Sequence, residues 1–334
     1  MPDTDLDWLE RIPKVELHLH LEGAIPHPAL WELIRKYGGD PSVPTPEALE
    51  GKFAYRDFPH FIETWVWKNN FLREYDDFTL IAESVARDLG RQNVIYAEVF
   101  FSPGDFARHG LKTQRITEAI RKGLSRVSEV EVALVPDLIR DFGPEKAVRT
   151  LAEVNEVKEL GVVGVGIGGS EQEFPPEPFQ HVYEKAREFG FYTSAHAGEA
   201  AGAESIWGAI RALRVNRIGH GTRAREDGDL LTYLAEHKIP LEMSVTSNVR
   251  TGAVASLESH PIGDYFDRGI LVTVNTDDPK MFGSSLAEEY RLLVQRLGFS
   301  MDEIRCLMLR SVEVSWLAED KKTRLTEQIL RFPE

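Results

Sequence analysis

VELHLH (15–20), inside PKVELHLHLEGAI (13–25), is the stretch on which the fold turns. It is β-rich, mostly apolar without clean alternation, and ends in two histidines. A parallel strand buried on both faces has this character, because helices cover both sides of its sheet. Seven comparable runs follow: VIYAEVFF (94–101), VEVALVPDLI (130–139), VVGVGIGG (162–169), FYTSAHAG (191–198), RIGHG (217–221), PLEMSVTS (240–247) and LVTVNTDD (271–278). Between them lie stretches with helical spacing, such as FQHVYEKAREFG (179–190) and DGDLLTYLAEHK (227–238). Eight strands alternating with helices predict an α/β fold, a (β/α)8 TIM barrel spanning residues 1–334 as one domain. A doubly wound sheet with a second domain is the competing architecture. The interval from 21 to 93 is too long for a single crossover helix and predicts a helical insertion at about 24–90. That insertion is either extra packing on the barrel or an apolar lid over the strands' C-terminal ends, where barrels place their sites.

Composition narrows the partners. The 334 residues are 42% hydrophobic and 28% charged, ordinary for a globular chain. A net charge of −15 leaves no basic surplus for counterion release, so a nucleic-acid polymer is not expected as partner. A small ligand in a locally positive or metal-charged pocket is compatible with it. The lone Cys306 excludes an intramolecular disulfide and a multi-cysteine zinc site. The opening MPDTDLDWLER is unlike a secretory signal, and no run approaches the ~18 apolar residues of a membrane span. A cytoplasmic protein with no membrane partner is the expectation.

Of the ten histidines, His27, His60, His109, His181, His237 and His260 lie in helical or loop contexts and suggest surface or helix-cap roles. Four others end strands. His18 and His20 are i and i+2 on one strand, so both rings point to the same side. Two imidazoles at that separation can share one metal ion. His196 can add a third nitrogen and Asp277 an oxygen from across the barrel mouth. Such a set without thiolate suits one Zn²⁺ per chain first, with Fe²⁺, Mn²⁺ or Co²⁺ also possible. Asp277 and Asp278 follow LVTVN directly, where two adjacent carboxylates are costly without cations or donors. Neighbours on a strand face opposite ways, so one aspartate should ligate metal while the other addresses substrate or water. Glu199, three residues beyond His196, is either a general acid beside the metal or a favourable charge at the start of the next helix.

In this order, PKVELHLHLEGAI, SAHAGE, RIGHGTRA, SVTSNVRTGA and VTVNTDDP resemble the adenosine deaminase family of the amidohydrolase superfamily, from about residue 13 to about 320. The resemblance implies a barrel with one catalytic zinc and hydrolytic loss of the 6-amino group of a small purine. His18, His20, His196 and Asp277 match its metal ligands, and Glu199 its proton donor to purine N1. His220 matches the residue that orients and helps deprotonate the attacking water. Asp278 matches the partner of N7, and Gly169 the glycine whose backbone meets N3. Glu22 stands where the family usually has an aspartate near the ribose 5′ end, and Gly166 replaces another usual aspartate. Both departures resemble the adenine deaminase and aminodeoxyfutalosine deaminase branches, whereas the Thr-Gly-Ala of SNVRTGA looks nucleoside-type. Arg250 could pair with a substrate carboxylate or be a solvated loop residue. The expectation is a purine-nucleoside deaminase acting on adenosine or a 5′-modified analogue such as aminodeoxyfutalosine. An adenine deaminase, or an amidohydrolase with different chemistry, is the alternative.

Overall fold

The computed structural model describes residues 3–55 and 58–333; residues 56 and 57 of the expected insertion lie outside them. Eight parallel strands follow in chain order: β1 (Lys14–His20), β2 (Val94–Phe101), β3 (Glu131–Pro136), β4 (Gly164–Val165), β5 (Tyr192–Ala197), β6 (Arg217–His220), β7 (Leu241–Met243) and β8 (Val272–Val274). They form two ladders, β1-β2-β3 and β4-β5-β6-β7-β8. Backbone bonds join the ladders at both seams. Val163 N–H donates to Leu134 O at 3.1 Å and Gly166 N–H to Pro136 O at 3.0 Å. At the other seam His20 N–H donates to Asp277 O and Asp277 N–H to His18 O, both at 2.9 Å. The sheet thus closes as the expected barrel, with no free edge to protect.

Each strand's apolar side chains explain its burial. Leu17 and Leu19 of β1, Val165 of β4, Ile218 of β6 and Val272 and Val274 of β8 are all within 1% of complete burial and belong to one continuous core. Helices His27–Lys36, Pro46–Gly51, Phe58–Asn69 and Tyr75–Arg91 occupy the interval between β1 and β2. The last is the crossover helix, and the others are the extra helical material. Among the described residues no helix is long and apolar enough to cross a membrane.

Several β-rich runs outlast their strands. β4 is a strand of two residues only, and beyond it Gly166 holds an isolated bridge to Asp137 rather than a continued ladder. β7 stops at Met243 and the chain turns into helix Val245–Arg250. β8 stops at Val274, three residues short of Asp277. Asp277 has φ 62° and His220 φ 64°, the left-handed region that non-glycine residues seldom occupy and that clusters at functional sites. This bend corrects the expectation that the two aspartates face opposite ways. Alternation requires extended backbone, and with Asp277 left-handed both carboxyl groups line the same cavity.

Candidate active site

The chain builds a cavity of about 510 Å³ at the C-terminal ends of the strands. Its floor carries His20, His196, His220, Asp277 and Asp278, and one wall carries Phe61, Ile62, Trp65 and Val66 from helix Phe58–Asn69. The insertion therefore covers the mouth as a lid, besides packing on the barrel.

His18, His20, His196 and Asp277 converge. His196 Nε2 lies 3.1 Å from His18 Nε2 and 3.2 Å from His20 Nε2. Asp277 Oδ1 lies 3.3 Å from His20 Nε2 and 3.6 Å from His18 Nε2. Two of the rings have their tautomers set from behind. His18 Nδ1 is 2.8 Å from Glu242 Oε2, and His196 Nδ1 is 3.2 Å from the Ile167 carbonyl. Both partners only accept, so both Nδ1 atoms carry the proton, and in the neutral rings both Nε2 atoms present lone pairs. Burial opposes protonation of His18, but Glu242 and Asp277 outweigh it and raise its pKa, so a proton competes with a cation for that position. Two lone pairs 3.1 Å apart repel unless a cation lies between them, so the donor set fits a metal ion. Burial keeps His20 at about 3 and His196 well below the ordinary imidazole range, which favours the neutral, ligating form. Burial opposes ionisation of Asp277, but the facing His220, His20 and His18 hold it below the usual carboxylate range. The Ser247 hydroxyl donates to Asp277 Oδ2 at 2.6 Å and orients it. Gly219 makes room for this packing: a Cβ there would sit 2.8 Å from His18 Cε1.

Behind His18 runs a buried ionic chain. Glu242 Oε1 accepts from Arg217 Nε at 2.5 Å, and Arg217 also pairs with Glu98. Glu98 in turn accepts the Trp316 backbone N–H at 2.6 Å. The Arg217 guanidinium stacks over the Trp316 ring at 3.8 Å. Burial alone would raise Glu242, but Arg217 and His18 bring it down to about 2. An ionised Glu242 makes the His18 ring more basic, the usual role of a carboxylate behind a metal-ligating histidine.

The remaining polar groups surround the donors. His220 can also bring a nitrogen within 4.8 Å of atoms of His18, His196 and Asp277. Its Nε2 has no hydrogen-bond partner and lies 3.4 Å from Glu199 Oε2. Burial raises the Glu199 carboxyl to about 8, with Asp277 and Glu171 adding to it. Asp278 is driven well above the carboxylate range by burial and by Asp277, and its Oδ1 is buried without a partner. Gly169 lines the cavity with φ 102°, and a Cβ there would run into Asp141. Glu22 is buried: its Oε1 accepts Ser102 N–H at 2.9 Å, and Oε2 has no partner. Arg250 is exposed at the end of its helix, and its neighbour Thr251 lines the cavity instead.

Besides Ser247 and the ionic chain, the sequence left Glu171 and Arg140 unassigned and put His260 elsewhere. Glu171 collects the backbone N–H groups of Gly198, Glu199, Ala200 and Ala201 at 2.5–3.1 Å and so shapes the turn that carries Glu199. Arg140 donates to the His196 carbonyl at 2.7 Å. His260, expected at the surface or as a helix cap, is 6% exposed and bonds to Asn248, because the chain after helix Val245–Arg250 folds back beneath the site.

A closed parallel barrel with a three-histidine, one-aspartate metal site at its C-terminal mouth defines the class, a TIM-barrel amidohydrolase. Within it, the chain belongs to the adenosine deaminase family, whose model matches residues 13–332. It is 37% identical to an aminodeoxyfutalosine deaminase of Streptomyces avermitilis, over 96% of this chain and 91% of that one. It is 36% identical to an adenosine deaminase of Edwardsiella ictaluri, over 96% and 97%. Among solved structures, an adenine deaminase from Arthrobacter aurescens superposes with TM-score 0.91 at 28% identity, covering 96% of this chain and 99% of that one. An amidohydrolase from Burkhoderia ambifaria with bound Zn superposes with TM-score 0.88 at 26% identity, covering 98% and 93%.

Proposed function

We propose that this chain is a zinc-dependent hydrolytic deaminase that converts the 6-amino group of a purine nucleoside to the 6-oxo group. The substrate is adenosine or a 5′-modified analogue. One observation carries the reading: His18 Nε2 and His196 Nε2, 3.1 Å apart, converge with His20 and Asp277 beside Glu199, at the floor of a cavity of about 510 Å³. His18, His20, His196 and Asp277 would hold Zn²⁺, and bound zinc supplies acidification of a coordinated water toward pKa ~7.

The chain's own groups supply the rest. Glu199, protonated below about 8, gives its proton to N1 and makes C6 electrophilic. His220 orients the water whose oxygen bonds to C6. The C6–N bond then breaks: of the two protons the water gives up, one passes to the amino group, which leaves as ammonia, and the other restores Glu199. Asp278, its carboxyl driven well above the carboxylate range by burial and by Asp277, can in its protonated form donate to N7, an acceptor, while the Gly169 backbone faces N3. Glu22 Oε2, buried without a protein partner, suits a hydroxyl near the ribose 5′ end.

The test incubates zinc-replete protein with adenosine, adenine, 2′-deoxyadenosine and aminodeoxyfutalosine, following ultraviolet absorbance and ammonia. Stoichiometric ammonia with the fastest turnover on a nucleoside is the expected result. Turnover confined to the free base would replace the nucleoside reading, and no ammonia from any substrate would overturn the deaminase.

A further inference from the structure

Behind His220 runs a hydrogen-bond chain that the catalytic reading above does not use. It begins at a group whose direction is unambiguous. The backbone N–H of Ile262 can only donate, and it lies 3.3 Å from His260 Nδ1. That nitrogen therefore presents a lone pair, and the ring proton sits on Nε2. His260 Nε2 lies 3.2 Å from Asn248 Oδ1. The amide is thereby oriented with its NH₂ toward His220, whose Nδ1 is 2.9 Å away. His220 Nδ1 accepts, so the His220 proton is on Nε2. Asn248 and His220 are within 1% of complete burial, so no bulk water competes for these bonds.

We propose that Asn248 and His260 are positioning residues that lock His220 as its Nε2–H tautomer, making it a hydrogen-bond donor in the cavity and keeping it out of the metal's ligand set. The proposal rests on the metal centre proposed above. The geometry gives the lock a purpose, because His220 reaches within 4.8 Å of three ligating groups and could compete with His20 for the same ion. What lies behind each ring separates their roles. His18 and His196 have acceptors at Nδ1 and expose lone pairs, whereas His220 has a donor at Nδ1 and exposes a proton. A protonated Nε2 can hold the oxygen of the attacking water in place but cannot take its proton. The acceptor of that proton is then a carboxylate rather than His220.

The most direct reading is side-chain ¹⁵N–¹H NMR of ¹⁵N-histidine-labelled, zinc-loaded wild type without substrate. His220 protonated at Nε2 is expected, and protonation at Nδ1 overturns the proposal. Asn248→Asp changes little in shape but replaces the donor facing His220 with an acceptor. The His220 proton should then move to Nδ1, and zinc should leave more slowly in a chelator competition as a further nitrogen becomes available. On the fastest wild-type substrate, kcat should fall on the order of 10²–10⁴-fold, the scale of other wrong-tautomer changes, with KM within about 3-fold. His260→Gln retains an N–H for Asn248 Oδ1 and should keep kcat within about 5-fold. An Asn248→Asp protein with unchanged tautomer and kcat also overturns the lock. Should the NMR match while no purine is deaminated, the lock stands and the deaminase reading fails.

Discussion

The floor of the cavity and its lid hold their side chains in opposite ways. Floor groups hang from strand ends whose backbones are tied into the barrel, and three of the four candidate metal ligands are braced by a buried polar partner. His18 leans on Glu242, Asp277 on Ser247, and His196 on the Ile167 carbonyl. The lid wall is apolar and partly open: Ile62 is 41% and Val66 44% exposed, facing Phe142 at 46% across the cavity. A metal site has to hold its donors to within fractions of an ångström, which braced strand ends can do. A lid has to admit a substrate and then cover it, so it relies on apolar contacts made when the ligand arrives. Damage to the floor should therefore abolish chemistry, and damage to the lid should weaken binding.

The largest effect belongs to the ligands. His196→Ala should lose its zinc, measured by elemental analysis, and lower turnover by several orders of magnitude while the barrel's circular dichroism is retained. Next comes Glu199→Gln, which should keep zinc and ligand binding and lower kcat about 10²–10⁴-fold, measured in the steady state. Because the acid form is the active one, wild-type kcat should fall as pH rises through about 8, and this limb should vanish in Glu199→Gln. An unchanged alkaline limb would place the acid elsewhere.

Bracing should cost less than ligation. Glu242→Gln leaves the ring contact but removes the charge behind His18, so zinc affinity should weaken ~10–100-fold in a chelator titration. The same substitution should alter acid stability. Glu242 has its folded pKa lowered to about 2, so its contribution is present above the unfolded value near ~4.3 and is lost as pH falls toward 2. The wild type should thus lose part of its stability in that window, and Glu242→Gln should not, as followed by denaturant titrations across pH.

The floor was also the more legible region in the sequence. Histidines two apart on a strand share a face, and parallel strands end at one mouth, so His18, His20, His196 and Asp277 could be brought together from spacing alone. Glu98, Arg217 and Glu242 carried a signal too: a charge within a strand buried on both faces has to be paired. Arg217 and Glu242 lie on the neighbouring strands β6 and β7, but Glu98 was hidden as their partner, because β2 meets those strands only across the closed barrel. His260 and Asn248 gave no comparable signal, since tautomers depend on which atom faces which. Left-handed Asp277 was also hidden, because period-two reasoning assumes extended backbone. The lid's helices were evident as excess length between β1 and β2, but their placement over the mouth depends on packing without periodicity.

The smallest effect tests the lid. Ile62 and Val66 keep less than half of their surface open, so polar replacements there create no buried cavity and should leave folding intact. A bound nucleoside would cover the exposed part of each side chain. At roughly 25 cal/mol per Å² of apolar surface, a few tens of Å² per residue corresponds to about 1 kcal/mol, or ~5-fold in affinity. Ile62→Ser and Val66→Ser should therefore raise KM about 3–10-fold with kcat within about 2-fold, because neither touches the reacting atoms. A kcat loss of the size expected for Glu199→Gln would contradict the division between floor and lid. The lid would then be bracing the chemistry itself, most directly through Trp65, whose ring meets His20 edge-on at 6.2 Å.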